Sequence, residues 1–153
     1  MHIPDFIFGY STIGVPIGIF FWIIAMILIV LAVKWAQENL EESKIPILAV
    51  IAAGIFALQA FNLPTGFGVS GHLVGGALSA IVLGSPFAAV FVMSIILVIQ
   101  ALIFGDGGVL AIGVNIINMG AIAGFTGFYS FTALKERIGI PISAGIAGWI
   151  ASG

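Results

Sequence analysis

Residues 13–36 read IGVPIGIFFWIIAMILIVLAVKWA, a run whose one ionisable side chain, Lys34, stands near its far end. An α-helix rises 1.5 Å per residue, and a hydrocarbon core of ~30 Å needs about 20 apolar residues. The run is therefore read as a membrane span. Pro16 falls in its opening turn, where a missing N–H breaks no helical hydrogen bond. Lys34 stands where a long side chain can reach the head groups. A secretory signal fits poorly: no basic residue precedes the run, it is too long, and no small-residue cleavage pattern follows it.

Working outward, the same composition continues. Hydrophobic residues make up 61% of the 153 positions and charged residues 7%, against roughly 45–50% and 25% in soluble domains. Mean hydropathy is +1.31. Ten Lys, Arg, Asp and Glu side chains cannot cover a water-soluble particle of this size. Four basic residues cannot neutralise a run of phosphates, which excludes nucleic-acid binding. With no cysteine, thiolate metal sites, thiol catalysis and disulfides are excluded too.

Further spans are expected at Ile45 to Leu63, Phe87 to Phe104 and Val109 to Leu134, with a shorter apolar segment from His72 to Leu83. Gly84-Ser85-Pro86, Gly105-Asp106-Gly107-Gly108 and Lys135-Glu136-Arg137 punctuate them. Pro141 opens a sixth segment that is still apolar at Gly153 and is expected to be truncated. The expected fold is an all-α, polytopic transmembrane helical bundle. It forms a single domain over 1–153, with an N-terminal arm at 1–10 and about six membrane segments in the bundle at 13–153.

All four basic residues lie in the connections after the first and fifth segments, and the positive-inside rule puts both in the cytoplasm. This requires His72–Leu83 to count as a crossing. The N-terminus, His2, Asp5, His72 and Asp106 then share the outer face. Small residues recur at helix-packing spacing in Gly14/Gly18, Gly71/Gly75/Ser79 and Gly120/Gly124. Packing within the chain is the expected use, although Gly14/Gly18 also suits a partner subunit.

Both histidines of the chain, His2 and His72, fall on that outer face. A free Met1 amine, the His2 amide nitrogen and His2 Nδ1 can close adjacent five- and six-membered chelate rings on one metal. Three nitrogens in a plane leave one equatorial place, which the His72 imidazole can fill. A square of nitrogens suits Ni²⁺ or Cu²⁺ and is tolerated by low-spin Co²⁺, whereas Zn²⁺ prefers a tetrahedron and Mg²⁺ or Ca²⁺ prefer oxygen. On spacing alone a solvated His2 and an interfacial His72 stay open as the plainer account.

Ser70, Asp106, Asn115 and Asn118 are the outer-shell candidates. Asp106 suits a tight turn or the orientation of an imidazole. The two asparagines, like Gln59, Asn62 and Gln100, must bond to neighbours or line a cavity in lipid. No HExxH, GxSxG or Walker A pattern occurs, and no acid or base lies mid-span, so neither an enzyme nor a proton-coupled pump is expected.

Met1-His2-Ile3-Pro4-Asp5, Gly68-Val69-Ser70-Gly71-His72-Leu73-Val74-Gly75-Gly76, Gln100-Ala101-Leu102-Ile103-Phe104-Gly105-Asp106-Gly107-Gly108 and Asn115-Ile116-Ile117-Asn118-Met119-Gly120 resemble the CbiM/NikM family. These are the substrate-binding membrane subunits (S components) of energy-coupling-factor transporters for cobalt and nickel. The resemblance runs through the chain in order. It implies metal ligation by Met1, His2 and His72, and Co²⁺ or Ni²⁺ as transported substrate with no organic cofactor. It also implies a plasma-membrane location with the metal site on the extracytoplasmic face. The implied partners are a CbiQ-like transmembrane coupling subunit, CbiO-like ATP-binding subunits and a small CbiN-like membrane subunit. Phe6-Ile7-Phe8 departs from the Gly-Phe-Leu of many relatives, away from the ligands. The residues themselves also leave room for a membrane subunit that binds a small organic ligand such as a vitamin, or for an assembly protein with incidental histidines.

Overall fold

The computed structural model describes residues 14–60, 63–64, 70–71, 74–105 and 108–152. Its helices are α1 (Gly14–Asn39), α2 (Ile45–Ala60), α3 (Gly76–Leu83), α4 (Pro86–Ile103), α5 (Ile112–Ile138) and α6 (Ile140–Ser152). A 3₁₀ turn, Glu42–Lys44, leads into α2. Two short strands, β1 (Leu63–Pro64) and β2 (Ser70–Gly71), pair antiparallel, Leu63 opposite Gly71 and Pro64 opposite Ser70. Four helical stretches, α1, Glu42–Ala60, α4 and α5, are long and apolar enough to cross a membrane. The chain is an all-α membrane bundle, as expected.

Boundaries shift for local reasons. The first helix runs past Ala36 to Asn39, whose side-chain amide donates to the Trp35 carbonyl at 3.0 Å. The fifth starts at Ile112 rather than Val109, because the Trp22 indole N–H draws the Val109 carbonyl toward α1 at 3.0 Å. It then continues through Lys135 and Arg137 in its last turn, where cations suit the negative end of the helix dipole. Within it, Ile116–Ile122 forms a wider π-type segment, which periodicity does not announce.

The short third segment is helical only from Gly76 to Leu83, a length of ~12 Å. Gly75 (φ +81°) and Gly84 (φ +76°) bound it in left-handed conformations that favour glycine. Ser85 then caps α4, its side chain accepting from the Phe87 N–H at 3.2 Å with Pro86 at the first helical position.

What faces inward is small. The buried residues of α1 are Gly14, Gly18, Ala25 and Ala32, while Phe20, Ile23, Ile27 and Val30 are exposed. In water such a helix would be inside out. In lipid, large side chains have no reason to hide and small ones let backbones approach. A Cβ on Gly18 would touch Leu110, so this stripe faces the chain's own α4–α5 turn. Gly120 packs on Val90 and Met93, and Gly124 on Pro86 and Ala89, which makes α5 antiparallel to α4. Gly127 accepts both Ala77 of α3 and Ala151 of α6.

These contacts sort the bundle into two ends. Gln59 of α2 bonds Gln100 of α4, Phe56 meets Phe104 edge-to-face at 5.4 Å, and Trp22 reaches Val109. Lys34, Lys44, Lys135 and Arg137 lie toward the opposite end, together with Pro86. Between α2 and α4 the chain therefore passes from one end to the other. Its described parts there are the β1–β2 pair and the half-length α3.

An approach of this kind between α5 and α1 is testable. A Cβ on Gly113 would lie 2.7 Å from the Trp22 backbone nitrogen and 2.8 Å from its Cα. Gly113→Ala must then push α1 from α5, and a loss of ~1–3 kcal/mol is expected, read as a lower thermal midpoint in detergent. Gly145→Ala, with nothing within 4 Å of the new carbon, should leave the midpoint equal or higher.

Candidate functional site

One end of the bundle gathers Val74, the end of α4 with Gln100, and Val109 against Trp22 in the first half of α1. Met1, His2, His72 and Asp106 lie outside the described residues, as does Asn62. The backbone on either side of position 72 is nevertheless restrained at two places. Before it, Ser70 and Gly71 are paired to Pro64 and Leu63. After it, the Val74 carbonyl accepts a hydrogen bond from Gln59 Nε2 at 3.0 Å.

That second restraint belongs to a relay. Gln100 Nε2 donates to Gln59 Oε1 at 2.9 Å. Gln59 is 1% exposed and Gln100 4%, so both amides sit in a medium where each unmade bond is expensive. The order of bonds orients every amide. A carbonyl at Val74 only accepts, so Gln59 turns its NH₂ toward it and its oxygen toward Gln100, which must then donate. Gln100 Oε1 is left buried with no hydrogen-bond partner, alone in this among the described residues. An orphaned acceptor of this kind costs about 1–3 kcal/mol. In the sequence Gln59 and Gln100 read, like the asparagines, as amides that bond to neighbours or line a cavity. Their signal was available: two amides, each within four residues of its helix C-terminus, at one end of an otherwise apolar bundle.

The chain on either side of positions 106–107 is restrained as well. Gly105 (φ +67°) and Gly108 (φ +77°) take left-handed conformations, and the Val109 carbonyl is tied to Trp22. Asn115 is buried and engaged in a polar interaction, on the first turn of α5. Asn118 is exposed. Residues three apart share one face of an α-helix, but the π-type segment from Ile116 has more residues per turn and rotates Asn118 away from Asn115. The structure brings Asn115 to the same end as Gln100 and does not bring Asn118 with it.

No group of three or more His, Asp or Glu side chains that could hold a metal occurs among the described residues. A cavity of about 340 Å³ between α1 and α4 is lined by Ile29, Val33, Phe91, Ser94, Ile95, Val98 and Ile99. Its one hydroxyl, on Ser94, already donates to the Val90 carbonyl at 2.6 Å. It offers nothing to a cation.

The chain is similar to known proteins. Residues 2–152 match the CbiM family, described as the cobalt uptake substrate-specific transmembrane region. A protein of Methanocaldococcus jannaschii named for metal transport is 38% identical over 98% of this chain and 65% of its own length. One of Archaeoglobus fulgidus, named for fused nickel transport (NikMN), is 40% identical over 98% of this chain and 48% of its own. The crystal structure of a truncated transition metal transporter superposes with a TM-score of 0.85 and 32% identity, covering 99% of this chain and 68% of that one. The chain thus spans about two thirds to one half of the length of these curated relatives. On the family match and on relatives this similar over nearly all of its residues, the chain belongs to the CbiM family of substrate-specific transmembrane regions.

Proposed function

We propose that this chain captures Co²⁺ or Ni²⁺ at the relay end of the bundle, as the substrate-binding part of an ATP-driven energy-coupling-factor transporter. The observation that carries the reading is the pinned segment around position 72. The β1–β2 ladder and the Gln59–Val74 bond restrain the backbone on both sides of a histidine, in a chain of a family described by cobalt uptake. His72 supplies one imidazole, and the Met1 amine with the His2 amide and Nδ1 completes a plane of four nitrogens. Asp106, Ser70, Asn115 and Asn118 are the outer-shell candidates.

The relay end is extracytoplasmic and the end with Lys34, Lys44, Lys135 and Arg137 is cytoplasmic, in the plasma membrane, because basic residues are retained on the cytoplasmic side. The described interior has no line of charged or imidazole ligands leading to that side. Release therefore calls for reorientation of the carrier by partners: a CbiQ-like coupling subunit and CbiO-like subunits that hydrolyse ATP. Relatives named as fused NikMN and LarMN proteins support a CbiN-like membrane subunit as a further partner.

Visible-absorption titration of the detergent-purified chain with Ni²⁺ tests the chelate. A stoichiometric square-planar d–d band is expected with native Met1, absent in His2→Ala and weakened in His72→Ala. No band from a folded native chain would sink the reading and favour an organic ligand. Binding must displace protons from the amine and amide. Affinity should accordingly fall as pH drops below the reference α-amino pKa of ~7.7–8.0, which titrations across that range would show.

Adding one Ala before Met1 moves the histidine to position 3, where the arm alone offers four nitrogens. Metal should still bind without His72, but uptake by the assembled transporter should fail. Normal uptake would contradict the proposed site.

A further inference from the structure

Among the described residues, Gln100 Oε1 is a buried side-chain acceptor without a donor, and the bonds behind it all run one way. Gln100 Nε2 donates to Gln59 Oε1, and Gln59 Nε2 donates to the Val74 carbonyl. That carbonyl belongs to the peptide joining Val74 to Gly75. Gly75 has φ +81° and ψ −22°. Its ψ already lies in the right-handed helical range, and φ alone keeps it out of α3. The first bond of α3 accordingly runs from the Ser79 N–H to the Gly75 carbonyl at 3.0 Å. One residue earlier, the Leu78 N–H would need the Val74 carbonyl to continue the helical ladder, but that carbonyl is turned to Gln59.

A peptide plane turns about the line joining its two Cα atoms without moving the chain on either side, since only the ψ before it and the φ after it change. Its N–H and C=O point opposite ways, so such a turn exchanges them. Glycine accepts either sign of φ. With a helical φ at Gly75, the Val74 carbonyl aims at the Leu78 N–H, and the Gly75 N–H takes the place facing Gln59. An N–H only donates, so Gln59 then presents Oε1 to it and Nε2 to Gln100, whose Oε1 stands open as the acceptor.

We infer that the Val74–Gly75 peptide, Gln59 and Gln100 form a two-state relay in which one peptide flip reverses both side-chain bonds and extends α3 by one residue. Each state holds two relay bonds. They differ at the ends: the observed state leaves Gln100 Oε1 open, whereas the reversed state uses it, releases Gln100 Nε2 and gives the Leu78 N–H an acceptor. A hydrogen-bond donor arriving at Gln100 holds the first state and an acceptor holds the second, because a ligand shifts an equilibrium by its differential affinity. The start of α3 is thus coupled to whatever polar group meets α4 at Gln100. This device does not depend on the metal-capture reading.

Two measurements on the detergent-purified chain test it. The first is NMR relaxation dispersion, which reads exchange on the μs–ms scale. In the native chain the backbone amides of Gly75 and Leu78 and the side-chain NH₂ groups of Gln59 and Gln100 should share one exchange rate. Gln59→Leu cuts the relay and should change the rate at Gly75. Exchange at Gly75 that is the same in Gln59→Leu would refute the coupling.

The second biases the equilibrium. Alanine disfavours φ +81°, and a Cβ on Gly75 would lie 2.5 Å from Ile55 Cγ2, so Gly75→Ala is combined with Ile55→Ala. This double variant should adopt the reversed state. Its Leu78 amide should then exchange with deuterium about tenfold more slowly than in Ile55→Ala alone, the worth of one net hydrogen bond. A relay fixed in one direction predicts equal or faster exchange at Leu78, and that result in the folded variant would overturn the inference. Should the double variant not fold, flat dispersion at all four groups of the native chain would overturn it alone.

Discussion

Close approach of backbones is the constraint on which the bundle depends. In lipid there is no hydrophobic gain from hiding large apolar side chains, so helices cohere by van der Waals contact where residues are small. Gly113 lies against the backbone of Phe21 and Trp22, Gly124 against Ala89 and Pro86, and Gly127 between Ala77 and Ala151. Gly76 comes so near the Met119 carbonyl that a Cβ there has no room at all. These contacts bring α3 into the bundle interior. They let a helix of only half the usual length stand between α2 and α4.

The start of that short helix is where the buried amides meet. A continuous third helix would have spent its carbonyls on its own N–H groups, leaving the Val74 carbonyl nothing to offer Gln59. Beginning α3 only at Gly76 frees that carbonyl, and the relay through Gln59 to Gln100 ties the loop to two long helices. The metal-capture reading and the packing thus depend on the same local event, a left-handed glycine at position 75 that delays the helix.

Much of the bundle was legible in one dimension because its cause is local. Apolar length marks α1, α2, α4 and α5, and Gly84-Ser85-Pro86 is read correctly as a break, since left-handed glycine, cap and N1 proline act within one turn of chain. The stripe Gly14/Gly18 was legible as a packing face, yet its partner was not. Only the fold shows Gly18 against Leu110. The π-type segment at Ile116–Ile122 escaped, because an α-helical and a π-helical turn differ in hydrogen-bond register and not in hydrophobicity. Hence Asn115 and Asn118, which an α-helix would place together, part company.

By itself the sequence determined the solvent of this protein, its helical class and its breaks. Each of these follows from composition or from interactions within a few residues. The tertiary structure decided which end of the bundle the described amides occupy, that α3 begins only at Gly76, and that Gln59 and Gln100 meet across 41 positions. Such choices arise from contacts distant in the chain, where many pairings satisfy the same hydropathy and packed volume selects one.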